Sequence, residues 1–243
     1  MLENIAAMLE AWGIRNPLEQ LEFRLDPSTL PFAIWETLYA PLAATVLAYV
    51  IGLPLGILLV TGEEGGIHPL PKALMNVLNT IINLLRSIPF LILMVLVFPL
   101  SRLILGTAIG TTATIIPLTV AAAPYVARLV EASLREMDRG VIEAAQSMGC
   151  STWQIVTKVL LPECKPSLIN GATNATITIL GYGAMAGSIG GGGLGSMSLM
   201  RGHGRQQFIV LYVAVILLVV LVQIIQSIGT ALCVKTDKRI THK

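Results

Sequence analysis

Few side chains in this sequence could do covalent or metal chemistry, and none is spaced for it. The three cysteines and three histidines are scattered along the chain: Cys150, Cys164, Cys233, His68, His203 and His242. No HExxH or CxxC spacing joins them, so we expect neither a metal site nor a catalytic centre. The glycine cluster at 190–195 lacks the Gly-Lys-Ser/Thr of a phosphate-binding loop. We therefore expect no cofactor and no nucleotide site in this chain.

The most specific pattern in the sequence predicts local structure and no chemical reaction. It occupies residues 143–162, between long apolar runs. Ala144 and Ala145 favour a helix and are small enough for another surface to approach closely. Gly149 can adopt the left-handed conformation that ends a helix. One face of this helix should carry Val141, Ala144, Ala145 and Met148.

A second helix is predicted directly after that glycine. Ser151 followed three residues later by Gln154 is typical of a capping box, which starts a helix. Pro162 interrupts this helix or marks its end. An ordinary amphipathic helix at a membrane surface is the alternative, but it needs neither this spacing nor the glycine.

The pattern resembles the EAA loop of ABC-importer permeases, which has Ile where this chain has Val159. The resemblance implies a loop that docks on a cytoplasmic ATPase and carries the motion of that subunit into the membrane. The residues that match the loop are Glu143, Ala144, Ala145, Gly149, Val159, Leu161 and Pro162.

Composition indicates a polytopic, all-α membrane protein. Of the 243 residues, 54% are hydrophobic and only 12% are charged, whereas a soluble domain usually carries about twice that charged fraction. Five apolar stretches are long enough to cross about 30 Å of hydrocarbon. These predicted transmembrane helices lie at about 34–60, 74–100, 107–130, 167–190 and 208–234.

Lysine and arginine predict the orientation, because cytoplasmic loops carry an excess of both. The 62–73 loop, the 128–166 region and the tail from 235 together hold ten of the 16 basic residues. We therefore expect the N-terminus outside and the C-terminus in the cytoplasm. The expected divisions are an external segment (1–31), a transmembrane permease domain (32–235, with the EAA-like loop at about 138–162) and a cytoplasmic tail (236–243).

Segments at 85–90, 117–124 and 184–195 resemble the methionine-importer branch of these permeases. That resemblance implies a type I ABC-importer permease fold in the bacterial inner membrane, working as two copies of this chain. It also implies two cytoplasmic ATPase subunits, which hold ATP and magnesium, and an external methionine-binding lipoprotein. We expect the lipid bilayer to be a further partner. We do not expect the chain to bind nucleic acid.

The end of the fourth predicted span is a candidate gate. Tyr182 and Met185 are neighbours on a helix because they are three residues apart. Met185 from two chains could form an apolar constriction, with Tyr182 lining the translocation path; packing against neighbouring spans is the alternative. Gly183 and Gly187 form a GxxxG pair that lets helices pack closely, within the chain or between two copies. The glycine cluster that follows is expected to be a flexible external loop.

Arg86 is the one strongly basic residue placed well inside a predicted span. It would lie near the middle if 74–100 were a single helix, where a charge costs at least about 2.5 kcal/mol. If it lies there, Arg86 is a pathway residue or a structural residue. The alternative is that Arg86 lies near the membrane surface and its long side chain reaches that surface.

Two other classes of function remain to be distinguished. An ion-coupled secondary transporter would need a carboxylate embedded in the membrane, yet Glu36 and Glu131 lie only at the edges of predicted spans. An ABC permease for another small amino acid or related solute would share every feature described above.

Overall fold

A computed structural model describes residues 29–237 of the chain, together with Glu10. Residues 1–9, 11–28 and 238–243 lie outside the described residues. Almost all of the predicted external segment and most of the predicted cytoplasmic tail fall there.

Every regular element in the described part of the chain is helical. The α-helices are α1 (Thr29–Thr61), α2 (Lys72–Ser87), α3 (Phe90–Leu105), α4 (Ile115–Arg135), α5 (Arg139–Ser147), α6 (Thr152–Gln154), α7 (Leu161–Glu163), α8 (Lys165–Ala186), α9 (Gly193–Ser196) and α10 (Phe208–Thr236). Short 3₁₀ segments occupy Thr112–Thr114 and Gly187–Ile189. Wider π-helical segments occupy Ile155–Leu160 and Met197–His203.

Three described helical stretches are long and apolar enough to cross a membrane: Thr29–Thr61, Thr112–Arg135 and Phe208–Thr236. The sharply bent pair α2 and α3 adds a fourth only when it is counted as one span. The 22-residue α8 contains several Asn and Thr residues and is not among these candidates. Membrane helices are therefore present by length and composition, and the predicted number of five is not confirmed.

The predicted span at 74–100 is not one continuous helix. α2 ends at Ser87, Ile88 has an extended backbone with ψ of 125°, and α3 begins at Phe90. Pro89 explains the break, because a proline disfavours helical backbone in the residue before it. The apolar run continues through the break, which is why hydropathy alone did not reveal it.

The described chain divides into two compact units, of which the first contains α1 up to Ala44, Phe90–Leu118 and Thr178–Ile224. A cluster of buried apolar side chains forms a core of this unit: Ala33, Leu194, Met197, Val210 and Ala214. Because Leu194 belongs to the predicted flexible loop, this core already places that loop inside the packed structure.

The second unit contains Thr45–Pro89, Thr119–Ile177 and α10 from Ile225. Leu59, Met75, Ile82 and Ala127 form a core cluster here. Glycines let α1 and α4 approach closely in this unit: a Cβ at Gly52 would lie 2.7 Å from Val126, and one at Gly56 would lie 2.6 Å from Val130. Such small residues are how helices pack closely in lipid.

Candidate functional site

The helix-turn-helix predicted at residues 143–162 is present in the second unit. Asp138 begins α5 by accepting a hydrogen bond from the Gly140 backbone N–H at 2.7 Å. Gly149 ends it with φ of 76°. The Gly149 N–H donates to Gln146 O at 2.9 Å, and the Cys150 N–H donates to Ala145 O at 3.1 Å. These two bonds are a Schellman motif, so the predicted left-handed glycine is confirmed.

The second half of the segment starts with the predicted capping box. The Gln154 N–H donates to Ser151 Oγ at 3.3 Å, and the Ser151 N–H donates to Gln154 Oε1 at 2.8 Å. The helix then widens over Ile155–Leu160 and ends at Glu163. Pro162 lies beside this end, where it has no N–H to bond Lys158 O and its ring would crowd that carbonyl. A wider π-helical turn relieves such crowding.

The predicted common face of α5 is wrong in one respect. Val141, Ala144 and Met148 are exposed, but Ala145 is buried within the chain at 3% exposure. α5 packs against the Ile155–Leu160 segment, and Ala145 is its buried residue. Ala145 therefore supports the helix pair internally, and it does not offer its side chain to a partner.

Four apolar side chains of the segment are exposed, and we call them together the coupling surface: Val141, Ala144, Met148 and Trp153. Met148 is 76% exposed and Trp153 is 75% exposed. The prediction missed Trp153, although a large aromatic residue in the polar first turn of this helix was a usable signal. Glu143 lines a neighbouring cavity of about 200 Å³ together with Arg135 and Arg139. Val159 and Leu161 are half-buried, and Pro162 is exposed.

A charged network, also missed, holds the helix that leads into α5. Arg128 donates to Glu131 at 2.6 Å, to Asn79 at 2.8 Å and to Asn83 at 3.0 Å. Arg135 donates to Glu131 at 2.9 Å and to Glu63 at 2.6 Å. The spacing of Arg128, Glu131 and Arg135 along α4 was the signal, because residues three and four apart are neighbours on a helix. The network ties α4 to α2 and to the turn after α1.

The candidate gate residues lie in the first unit. Tyr182 stacks on Phe90 with ring centroids 4.5 Å apart and planes 6° apart. Met185 is exposed at 48%. Tyr182 is therefore held against α3, while Met185 projects from the end of α8 without being enclosed by the chain.

The two glycines beside these residues make contacts within the chain. A Cβ at Gly183 would lie 2.7 Å from the Pro41 ring of α1, and one at Gly187 would collide with the Ser196 backbone. The structure thus assigns both close approaches inside this chain.

The glycine-rich segment is not the flexible loop expected from its composition. Gly191, Gly193, Leu194 and Gly195 are buried, and α9 begins within the cluster. A Cβ at Gly195 would collide with Ala184 of α8. Glycine is required here for close packing and not for mobility.

Arg86 lies in the last turn of α2 and is exposed. Because the helix ends one residue later, Arg86 is not at the middle of a long helix as the continuous span would require. The C-terminal end of a helix carries partial negative charge, which favours an arginine there.

The structure brings no three His, Cys, Asp or Glu side chains of the described residues close enough to hold a metal ion. Its organised features are instead the coupling surface, the charged network of α4 and the packed end of α8.

One family pattern, described as "Binding-protein-dependent transport system inner membrane component", matches residues 52–232, which is more than half of the chain. The chain belongs to this family. It is therefore an inner-membrane permease component of a transport system, and the expectation drawn from the EAA-like loop is confirmed at this level.

Relatives narrow the branch of this permease. The "Probable D-methionine transport system permease protein MetI" of Vibrio cholerae serotype O1 is 47% identical over 218 residues, covering 89% of this chain and 96% of that protein. The "Methionine import system permease protein MetP" of Bacillus subtilis (strain 168) is 44% identical over 168 residues, covering 69% of this chain and 76% of that protein. The resemblance to methionine-importer permeases is thereby confirmed.

The fold of the permease has a counterpart in a solved structure. A chain from an inward-facing crystal structure of the MetNI methionine ABC transporter superposes with a TM-score of 0.84 and 44% sequence identity. The match covers 86% of this chain and 96% of that one. It confirms the predicted all-helical, type I permease fold.

Proposed function

We propose that this chain is the membrane-spanning subunit of an ATP-driven importer that carries methionine across the bacterial inner membrane. The observation that carries the proposal is the likeness, over most of both chains, to a chain of the MetNI methionine ABC transporter. The helix-turn-helix at residues 138–163, which we call the coupling segment, has capped helices and a left-handed Gly149 and supports the ATP-driven part.

The proposed assembly contains two copies of this chain and two cytoplasmic ATPases, with a methionine-binding lipoprotein outside. ATP and magnesium bind to the ATPases. Symmetric pairing of identical chains is the usual architecture of such oligomers. Many apolar side chains of α3 and α10 are exposed in the single chain, among them Leu96, Leu103, Ile216 and Val219, so lipid or a second copy must cover them.

The proposed topology has five spans, an external N-terminus and a cytoplasmic coupling segment. The three long apolar helices and the bent pair α2–α3 support four of these crossings. α8 supplies the fifth, because its 22 residues cover about 33 Å as a helix. The excess of Lys and Arg in the 128–166 region supports the cytoplasmic side.

In the proposed mechanism the coupling surface docks in a cleft on each ATPase. Closure of the ATPases around ATP moves α5 and α6, and the permease alternates between states that open to the inside and to the outside. A ligand shifts such an equilibrium only by interacting differently with the two states. Nucleotide provides that difference through the ATPases.

The proposed path passes the end of α8, where Met185 from two copies forms an apolar constriction. The exposure of Met185 supports this role, because its side chain is free to meet a second copy. The Phe90–Tyr182 stack supports a rigid wall beside it. An uncharged path suits a zwitterionic amino acid better than an ion.

Reconstitution tests the function directly. The permease, purified with its ATPases into liposomes and supplied with the binding protein, should take up labelled methionine only when ATP is available to the ATPases. The L and D forms and other amino acids are offered in competition to define the substrate. Uptake that needed an ion gradient and ignored ATP would assign a secondary transporter instead, and ATP-driven uptake of a different amino acid would correct the substrate.

A further inference from the structure

Glu36 joins three stretches of the first unit that are far apart in the sequence. It lies near the start of α1, and its side chain is partly buried. Its Oε1 accepts a hydrogen bond from Thr111 Oγ1, and its Oε2 accepts one from the Gly193 backbone N–H at 2.8 Å. One carboxylate therefore ties α1 both to the segment before α4 and to the start of α9.

The next residue of α1 completes this attachment. Thr37 Oγ1 accepts a hydrogen bond from the Leu194 N–H at 2.8 Å and donates one to Ala33 O at 2.7 Å. The first N–H groups of any helix have no partner within it. The first two of α9 are thus bound by two consecutive side chains of α1.

The space around these bonds is filled. A Cβ at Gly192 would collide with Thr111 and Glu36. Gly193 has φ of 77°, and a Cβ there would lie 2.6 Å from Thr37 Oγ1. The glycines let the backbone come close enough to be held by the carboxylate.

The held segment in turn packs on the end of α8. A Cβ at Gly195 would collide with Ala184, and one at Gly187 would collide with Ser196. Ala184 lies between Tyr182 and Met185 in the chain. The position of α9 therefore fixes the stretch of α8 that carries both candidate path residues.

We propose that Glu36 is a positioning residue for translocation, acting through α9 on the end of α8. The proposal rests on the proposed function for its transport readout. The role belongs to the two hydrogen bonds and not to the negative charge, which gives it a distinctive signature. A glutamine at this position keeps both bonds, because its carbonyl oxygen can accept from Gly193 and its amide can donate to the Thr111 hydroxyl.

The experiment compares Glu36→Gln, Glu36→Ala and Thr111→Val in the reconstituted importer. Glu36→Ala removes both hydrogen bonds and should lower the maximal rate of ATP-driven uptake at least about tenfold, the combined effect of losing two hydrogen bonds. The KM for uptake should stay the same and ATP hydrolysis should continue. Glu36→Gln should retain most of the uptake, and Thr111→Val should fall between the two. Adding Thr111→Val to Glu36→Ala should cause no further loss.

Glu64→Gln is the matched control, since Glu64 pairs with Lys72 on the exposed surface and should transport normally when changed. Hydrogen exchange at residues 182–196 of the purified complex gives a readout that needs no substrate: Glu36→Ala should speed it, and Glu36→Gln should not. This readout separates failure of the positioning role from failure of the proposed function.

Three results would overturn the positioning role. One is unchanged uptake and exchange in Glu36→Ala. Another is a loss in Glu36→Gln as large as that in Glu36→Ala, because the charge would then be the active feature. If Glu36→Ala failed to assemble, unchanged uptake and exchange in Thr111→Val would overturn it equally, because that variant removes one bond at nearly constant shape.

Discussion

At the scale of single residues, Gly149 forms the turn between α5 and α6. Its φ of 76° is unfavourable for any other residue, while no atom lies within 4 Å of a Cβ placed there. Gly149→Val should therefore cost about 2 kcal/mol through the backbone alone. We expect the variant to reach the membrane but to lose most ATP-driven uptake, measured in vesicles and normalised to the amount of permease.

Gly106→Val is the matched control for that strain. Gly106 also has φ of 76°, and no atom lies within 4 Å of a Cβ placed there, but it lies in the turn after α3. The Gly106→Val protein should be destabilised to a similar degree and should still transport. Equal uptake by the two variants would remove the coupling role of Gly149.

Met185 supplies a second test at the residue scale. Because its exposed side chain is proposed to close the path, Met185→Ala should open a leak or raise ATP hydrolysis without coupled uptake. Leak of labelled methionine from loaded liposomes, beside the ATPase rate, measures both. Met200→Ala is the control, since Met200 is similarly exposed at 56% but lies outside α8. Tight coupling and no leak in Met185→Ala would leave Met185 as a packing residue.

At the scale of elements, the coupling surface should hold the ATPase by apolar burial. A large apolar side chain contributes about 1.5–3 kcal/mol when it is fully buried. Met148→Ala combined with Trp153→Ala should thus weaken ATPase binding at least about tenfold, measured by titrating ATPase onto the detergent-purified permease. Leu103→Ala, at an 82% exposed position on α3, should leave binding unchanged. Unchanged affinity in the double variant would move the docking site elsewhere.

At the scale of the whole molecule, the chain should function as a pair. Native mass measurement of the detergent-purified complex should give two permeases for two ATPases, because each chain carries one coupling surface, the proposed docking site. The same measurement after the Met148 and Trp153 changes should still find paired permeases but fewer bound ATPases. One permease for two ATPases would contradict the proposed assembly.

Features fixed by neighbours in the sequence could be predicted without the fold. The Gly149 turn and the Ser151–Gln154 capping box depend on hydrogen bonds that span three to five residues, so residue type and spacing specify them. The break at Pro89 is equally local, because a proline disfavours helical backbone in the residue before it. Composition also determined the membrane class, because burial in lipid requires apolar side chains throughout a span.

Only the tertiary structure decided which side chains meet across long separations. Ala144 and Ala145 are identical in type, yet the packing of α5 on the Ile155–Leu160 segment buries one and exposes the other. Glycine content predicted mobility at 190–195, whereas Glu36 and Thr37, each 157 residues from its partner, hold that segment in place. A sequence read alone cannot supply such contacts, because glycine permits both a flexible loop and a close backbone approach. The residues that pack against the glycines decide between a flexible loop and a close backbone approach.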